Sequence, residues 1–195
     1  MNETNQTDRF APLFAELDRR LVGEAPVRLA IEGGSASGKT TLGKILAERY
    51  GCTVFHMDDF FLRSEQRTAA RFAEPGGNVD RERFLAEVLL PLRRGEKVFY
   101  RRFDCASMQL QNAVETAPKK LVVAEGAYSM HPDLAPYYDF SVFLDISPEL
   151  QRERISRRNT PEKAKRFFAE WIPMEQTYFA AFDIPAKCTL RLPIL

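Results

Sequence analysis

The chain has 195 residues, of which 45% are hydrophobic, and its formal net charge at pH 7 is +1. This length suits one domain with a sizeable core better than two full domains, and the small charge offers no overall basic field for nucleic acid or an anionic membrane. The polar start lacks an apolar secretory core, and no apolar run approaches a membrane span. We therefore expect a single cytoplasmic domain over residues 1–195 without nucleic-acid or membrane partners.

The first predicted elements are a helix and a strand. Apolar residues recur at helical spacing over residues 10–21, which predicts an N-terminal helical extension at about 8–22. A short apolar strand follows at 27–31 and leads directly into a run of very small residues.

That run, AIEGGSASGKTTLGK at residues 30–44, fits the P-loop pattern of a glycine, four residues and Gly-Lys-Thr between a strand and a helix. Small residues let several backbone amides point at one anion, and the helix N-terminus adds its dipole. An ordinary Gly-Ser loop needs neither the flanking elements nor the lysine. We expect a bound polyphosphate, with Lys39 on the β- and γ-phosphates and the Thr40 hydroxyl on Mg²⁺. The predicted nucleotide-binding residues are Gly33, Gly34, Ser35, Ala36, Ser37, Gly38, Lys39, Thr40 and Thr41.

Two acids and two aromatic residues follow the second predicted strand, at 53–57, in the segment HMDDFFL. A kinase acting on an alcohol gains from a carboxylate that takes the hydroxyl proton, so Asp58 or Asp59 is a candidate general base. The alternative is that the two aspartates only cap the next helix while the phenylalanines pack in the core. We predict a catalytic role for at least one of the two aspartates and a packing role in the core for the phenylalanines.

A helix is predicted at 80–94, a strand at 97–103 and a buried strand at 121–124. The last of these ends in the segment KLVVAEGAYSM, where an acid and a glycine follow apolar residues. Glu125 at this strand end could hold magnesium directly or through water. The alternative is an exposed strand-end acid with no role.

The final predicted elements are a strand at 140–146, an arginine-rich helix opened by Pro148, and a helical stretch at 162–182 interrupted at Pro173. The alternation of strands and helices predicts an α/β fold with a parallel sheet covered by helices on both faces, as in P-loop NTPases. Ligands then bind at the carboxyl ends of the strands. The two histidines, His56 and His131, have no predicted metal partner and receive no function.

Together the segments GGSASGKTT, MDDFF, NVDRERF, YRRFD, VVAEGAYSMHP and FLDISPELQRERISRRN resemble the uridine kinase family, which is related to nicotinamide riboside kinase and phosphoribulokinase. The resemblance covers about residues 27–159, and the motifs occur in the family's order. It implies that Asp58 is the catalytic base, that Asp80 binds sugar hydroxyls, and that Tyr100 and Asp104 lie near the nucleoside base. The chain continues CASMQLQN, without the histidine and arginine that uridine kinases usually place next.

The resemblance also implies a small helical lid at about 149–160 whose arginines reach the phosphates. Arg154, Arg157 and Arg158 occupy the matching stretch. Without a nearby triphosphate they would be read as a solvated basic face; with one, at least one arginine neutralises transition-state charge.

The sequence thus predicts a kinase that uses ATP and Mg²⁺ and binds a nucleotide and a small-molecule acceptor. A nucleoside such as uridine is the leading acceptor, and nicotinamide riboside, pantothenate or a sugar phosphate are alternatives. A third hypothesis is a nucleotide switch that hydrolyses ATP slowly and signals by lid closure. A switch needs an ordered water, but it has no need of Asp58 as a base for a bound alcohol.

Overall fold

The computed structural model describes residues 9–195; the polar start and the first residue of the predicted extension at 8–22 lie outside this part. The strands are β1 (Val27–Gly33), β2 (Thr53–His56), β3 (Val98–Asp104), β4 (Gln109–Thr116), β5 (Leu121–Glu125), β6 (Phe140–Ile146) and β7 (Leu190–Ile194). The helices are α1 (Ala11–Leu21), α2 (Lys39–Tyr50), α3 (Ala69–Ala73), α4 (81–93), α5 (Pro148–Arg158), α6 (161–182) and α7 (Ile184–Lys187). Short 3-10 turns cover Met57–Phe60, Ser64–Gln66 and Ala135–Tyr137.

Five strands form one parallel sheet in the order β2-β5-β1-β6-β7. Side chains alternate between its two faces. Ile31 joins a core cluster with Leu13 of α1 and Leu42 of α2 on one face. Ala30 joins a second cluster with residues of α4 and with Tyr178 of α6 on the other. The predicted parallel sheet with helices on both faces is confirmed.

Helix α6 does not break at its proline. Its α-helical segments Pro161–Arg166 and Ile172–Phe182 are joined by the π-helical segment Phe167–Trp171. The N–H of Ile172 bonds to the carbonyl of Phe167, five residues back, so the turn before Pro173 is wider than an α-turn. A wider turn makes room for the proline ring, which clashes with a carbonyl in a regular helix. The prediction that Pro173 interrupts the helix is therefore wrong.

Helix α4 also contains a π-helical turn just before a proline. Its segments are Arg81–Phe84, the π-helical Leu85–Leu89 and Leu90–Arg93. The N–H of Leu90 bonds to the carbonyl of Leu85, and Pro91 follows at once. In both helices the proline is the second residue after the π-turn.

Strands β3 and β4 form an antiparallel hairpin outside the main sheet. Strand β3 is close to its predicted range, whereas β4 and β7 were not predicted. Strand β7 contains Pro193, which is tolerated because β7 lies at the edge of the sheet. None of the helices within residues 9–195 is long and apolar enough to span a bilayer.

Candidate active site

The glycine-rich loop joins the central strand β1 to α2 at the carboxyl edge of the sheet. Gly33 has φ of +144°, and a Cβ there would lie 2.6 Å from the carbonyl oxygen of Leu144 on β6. A side chain at this position would therefore push the loop away from the neighbouring strand. The Nζ of Lys39 lies along the loop and donates to the carbonyl oxygens of Gly33 at 2.8 Å and Gly34 at 2.9 Å.

A pocket of about 460 Å³ opens beside this loop. Most of the residues predicted for the nucleotide, the metal and catalysis line it. They are Ser35, Ala36, Gly38, Lys39, Thr40, Thr41, Asp58, Glu125, Arg154, Arg157 and Arg158. Gly33 and Gly34 contribute their carbonyls to Lys39 instead, and Ser37 is buried with a hydroxyl that has no hydrogen-bond partner among residues 9–195.

Asp58 faces this pocket from the 3-10 turn that follows β2. Gly126 lets this turn approach the end of β5, because a Cβ at Gly126 would lie 2.6 Å from the Cβ of Met57. The Asp58 side chain is open to the pocket, but the pocket walls displace much of its water. This desolvation raises the pKa of Asp58, the charge of Lys39 opposes the rise, and Glu125 reinforces it.

Glu125 forms a chain of polar contacts at the end of β5. Its Oε1 accepts a hydrogen bond from Thr40 Oγ1 at 3.0 Å and lies 2.6 Å from Nδ1 of His56. His56 and Glu125 are register partners on β2 and β5. The hydrogen bond to Glu125 raises the pKa of His56, while partial burial lowers it. His56, for which the sequence indicates no function, is thus a neighbour of the predicted metal ligands.

Two further residues hold the phosphate loop through Ser35. The buried carboxylate of Glu175 on α6 accepts from Ser35 N at 2.9 Å and from Ser35 Oγ at 2.6 Å. Gln151 of α5 donates from Nε2 to the Ser35 carbonyl at 2.9 Å. Burial raises the pKa of Glu175, and Lys39 opposes this. Neither residue was predicted, because Gln151 lies among the charged residues of α5 and Glu175 in a largely apolar segment of α6, and neither sequence context indicates a contact with the loop.

The arginines of α5 approach the loop from the side opposite β5. Helix α5 begins after Ser147, whose hydroxyl accepts a hydrogen bond from Leu150 N. Arg154 donates to the carbonyl of Ala36 at 3.3 Å and to the carbonyl of Leu195 at 3.2 Å. Desolvation and the charge of Arg157 lower the pKa of Arg154, so this end of the pocket is strongly cationic.

The structure does not bring Asp80, Tyr100 and Asp104 to this pocket. Asp80 is buried, and it accepts from Arg83 N at 3.1 Å and from Arg83 Nε at 3.3 Å at the start of α4. Tyr100 is buried and stacks on Phe60 at 5.8 Å between ring centroids. Asp104 accepts from the backbone and hydroxyl groups of the hairpin turn that follows it.

The oxygen donors of the pocket fit magnesium better than a metal held by protein alone. Residues 9–195 contain no cluster of three His, Cys, Asp or Glu side chains arranged to hold a metal ion. Magnesium typically uses one or two protein oxygens and completes its shell with phosphates and water. The contact between Thr40 and Glu125 offers such a donor pair beside the loop.

Comparisons with known proteins show similarity to several kinases. A family model described as shikimate kinase matches residues 35–98. A curated uridine kinase from Geobacillus kaustophilus is 23% identical over an alignment of 156 residues, and the match covers 75% of this chain and 73% of the relative. A dephospho-CoA kinase from Bradyrhizobium diazoefficiens is 28% identical over an alignment of 147 residues, and the match covers 70% of this chain and 73% of the relative.

Among solved structures, one described as a possible uridine kinase from Bacillus stearothermophilus matches with a TM-score of 0.72 at 19% identity. The match covers 96% of this chain and 99% of that chain, and at this identity it shows the fold alone. These comparisons confirm the resemblance to uridine kinases that the motifs indicate, and they show the fold of P-loop kinases. Since the curated relatives are kinases, they support a phosphotransferase.

Proposed function

We propose that the protein transfers the γ-phosphoryl group of ATP to a hydroxyl of a nucleoside such as uridine. The observation that carries this proposal is the presence of Asp58 in the same pocket as Lys39 and Thr40. A protein that only binds a nucleotide has no use for an accessible carboxylate at that place, whereas a kinase for an alcohol needs a base there. The curated uridine kinases favour a nucleoside over other alcohols.

In this proposal the loop amides and the N-terminus of α2 bind the β- and γ-phosphates. Lys39 leaves the carbonyls of Gly33 and Gly34 and donates to phosphate oxygens, which are stronger acceptors because they are charged. Helix α5 serves as the lid of a single domain, and at least one of Arg154, Arg157 and Arg158 neutralises charge on the transferring group. We place the reaction in the cytoplasm, where ATP is available.

Asp58 then acts as the general base. Its carboxylate accepts the proton of the acceptor hydroxyl as the hydroxyl oxygen forms a bond to the γ-phosphorus, and the bond from that phosphorus to the bridging oxygen of ADP breaks. The proton passes from Asp58 to solvent after the products leave. The raised pKa of Asp58 suits this role, because a base with a very low pKa would take the proton poorly.

Thr40 and Glu125 would hold Mg²⁺, which when bound neutralises charge on the phosphates. Glu125 is kept in place by Thr40 and His56. His56 in its charged form would compete with a cation for this carboxylate. We therefore expect magnesium binding to favour the neutral form of His56.

Glu125→Gln should raise the Mg²⁺ concentration needed for half-maximal rate by roughly ten-fold and lower kcat, because the amide keeps the shape and loses the charge. Titrating the initial rate with MgCl₂ measures this. Glu48→Gln, on an exposed position of α2, is the control and should leave the titration unchanged. An unaltered magnesium dependence in Glu125→Gln would return Glu125 to the role of a strand-end acid.

A screen of acceptors tests the function itself. ADP release is measured with ATP and Mg²⁺ in the presence of single nucleosides, nicotinamide riboside, pantothenate and sugar phosphates. We expect a nucleoside to raise ADP release well above the rate without an acceptor. Stimulation by another alcohol would support a kinase with a different acceptor. If no acceptor raises ADP release, the nucleotide-switch hypothesis is favoured.

A further inference from the structure

The N-terminal helix brings an additional cation to the phosphate pocket. Helix α1 ends at Leu21, shortly before β1 begins at Val27 at the amino edge of the sheet. The helix therefore starts at the opposite, carboxyl edge, where the phosphate loop lies. Arg9 lies two residues before the first residue of α1 and lines the same pocket as Lys39 and Arg154.

Arg9 is held there without a counter-ion among residues 9–195. Its guanidinium lies 4.7 Å from the ring centroid of Phe10, whose side chain is fully buried. Its Nε is buried and has no hydrogen-bond partner within this part of the chain. A buried donor without a partner costs free energy, which a bound anion would recover.

The neighbours of Arg9 also favour an anion. Desolvation and the charge of Arg154 lower the pKa of Arg9, so the two guanidinium groups repel each other across this end of the pocket. None of the described acids forms an ion pair with Arg9 or Arg154. A phosphate between the two would replace this repulsion with two charge-assisted contacts.

The strand order of the sheet indicates which phosphate of a nucleotide would lie beside Arg9 and Arg154. Asp58 follows β2 and Glu125 is the last residue of β5, both on one side of β1. Helix α1 contacts β6 on the other side, with the guanidinium of Arg20 over the ring of Phe140. Arg154 reaches the carbonyl of Leu195 beyond β7, on that same side. Because the acceptor must approach Asp58, the γ-phosphate faces β2 and β5, and the remainder of the nucleotide extends toward Arg9.

We propose that Arg9 binds the donor nucleotide at its α-phosphate, with Arg154 as its partner. The N-terminal helix then belongs to the nucleotide site in addition to covering one face of the sheet. This inference rests on the proposed function, since it assumes that the pocket takes a nucleoside triphosphate. Arg9 serves binding of the donor and makes no contact with the acceptor or with Asp58.

Calorimetric titration with ATP and with ADP, in Mg²⁺ and without an acceptor, tests this assignment. Arg9→Ala should weaken both nucleotides by a similar factor of about ten or more, because both carry the α-phosphate. Arg9→Gln keeps much of the side chain over Phe10 and should lose a similar amount of nucleotide affinity. It replaces Arg9→Ala in the test if Arg9→Ala is poorly folded. Arg19→Ala is the control, since Arg19 is exposed and pairs with Glu16 on α1.

Native affinity for both nucleotides in a folded Arg9→Gln protein would overturn the assignment, and so would a loss confined to ATP, which would place Arg9 on the γ-phosphate. In steady-state assays the variants should raise the KM for ATP and leave kcat and the acceptor KM nearly unchanged. The proposed function fails in a different way. It fails if the native protein binds neither nucleotide or if no acceptor is phosphorylated, whatever the Arg9 variants do.

Discussion

Lys39→Ala should abolish measurable phosphoryl transfer and leave the fold intact. Among residues 9–195 the ammonium group of Lys39 donates hydrogen bonds only to the carbonyls of Gly33 and Gly34, at the edge of the pocket and outside the hydrophobic core. Its loss removes a positioned donor to charge that develops in the transition state, and one such donor is worth roughly 10²–10³ in kcat. Initial rates with the acceptor found by the screen measure the effect, and thermal unfolding checks the fold.

Lys44→Ala is the matched control, because Lys44 is exposed on the same helix. It should behave as the native protein. Lys39 also opposes the raised pKa values of Asp58 and Glu175, so its removal should raise both further. A folded Lys39→Ala protein with near-native turnover would end the interpretation of this loop as a phosphate site.

Asp58→Asn should lower phosphoryl transfer by roughly 10²–10⁴, the usual contribution of a general base. The amide still accepts a hydrogen bond from the acceptor hydroxyl but cannot take its proton. Binding of ATP should therefore stay close to native, and the loss should appear in kcat. Titration with both substrates separates lost chemistry from lost binding.

Asp59→Asn is the control for Asp58→Asn. The Asp59 carboxylate lies 3.4 Å from Arg102 Nε, and Asp59 does not line the phosphate pocket. Replacing Asp59 should lower the rate of phosphoryl transfer much less than replacing Asp58. Equal losses in the two variants, or a native rate in Asp58→Asn, would contradict the assignment of the base.

The pH profile gives a second signature of Asp58. Because desolvation raises its pKa, kcat/KM should fall as the pH drops through that value, and the fall should begin at a higher pH than for an ordinary aspartate. Glu32 is a second carboxyl group with a raised pKa, which burial brings to about 7. A limb of the profile that disappears in Asp58→Asn belongs to Asp58, and one that persists belongs to a group such as Glu32.

The sequence was sufficient for the fold class and for locating the glycine-rich loop between β1 and α2. Both depend on local patterns, namely the alternation of strands with helices and a glycine-rich run before Lys39. Strand β4 was missed because its sequence QLQNAVET is largely polar and exposed, and β7 because it is short and contains Pro193. The π-turn before Pro173 was missed because the proline itself is a strong signal for a break.

The remaining parts of the site depend on contacts between distant segments. His56 and Glu125 are partners only because β2 and β5 are neighbours, an order that the strand patterns do not fix. Glu175 meets Ser35 across 140 positions of the chain. Asp80 was assigned to the acceptor by resemblance, yet here its carboxylate accepts two hydrogen bonds from Arg83. Such roles follow from tertiary packing.

If this pocket moves a phosphoryl group from ATP to an alcohol, the γ-phosphoryl group of isotopically labelled ATP can be followed to its acceptor with Mg²⁺ and uridine present. The label should appear in a phosphorylated nucleoside with the native protein, and Lys39→Ala and Asp58→Asn should lose this product. Label found only in inorganic phosphate, at a rate that uridine and every alcohol of the acceptor screen leave unchanged, would mean that the pocket hydrolyses ATP and phosphorylates no alcohol.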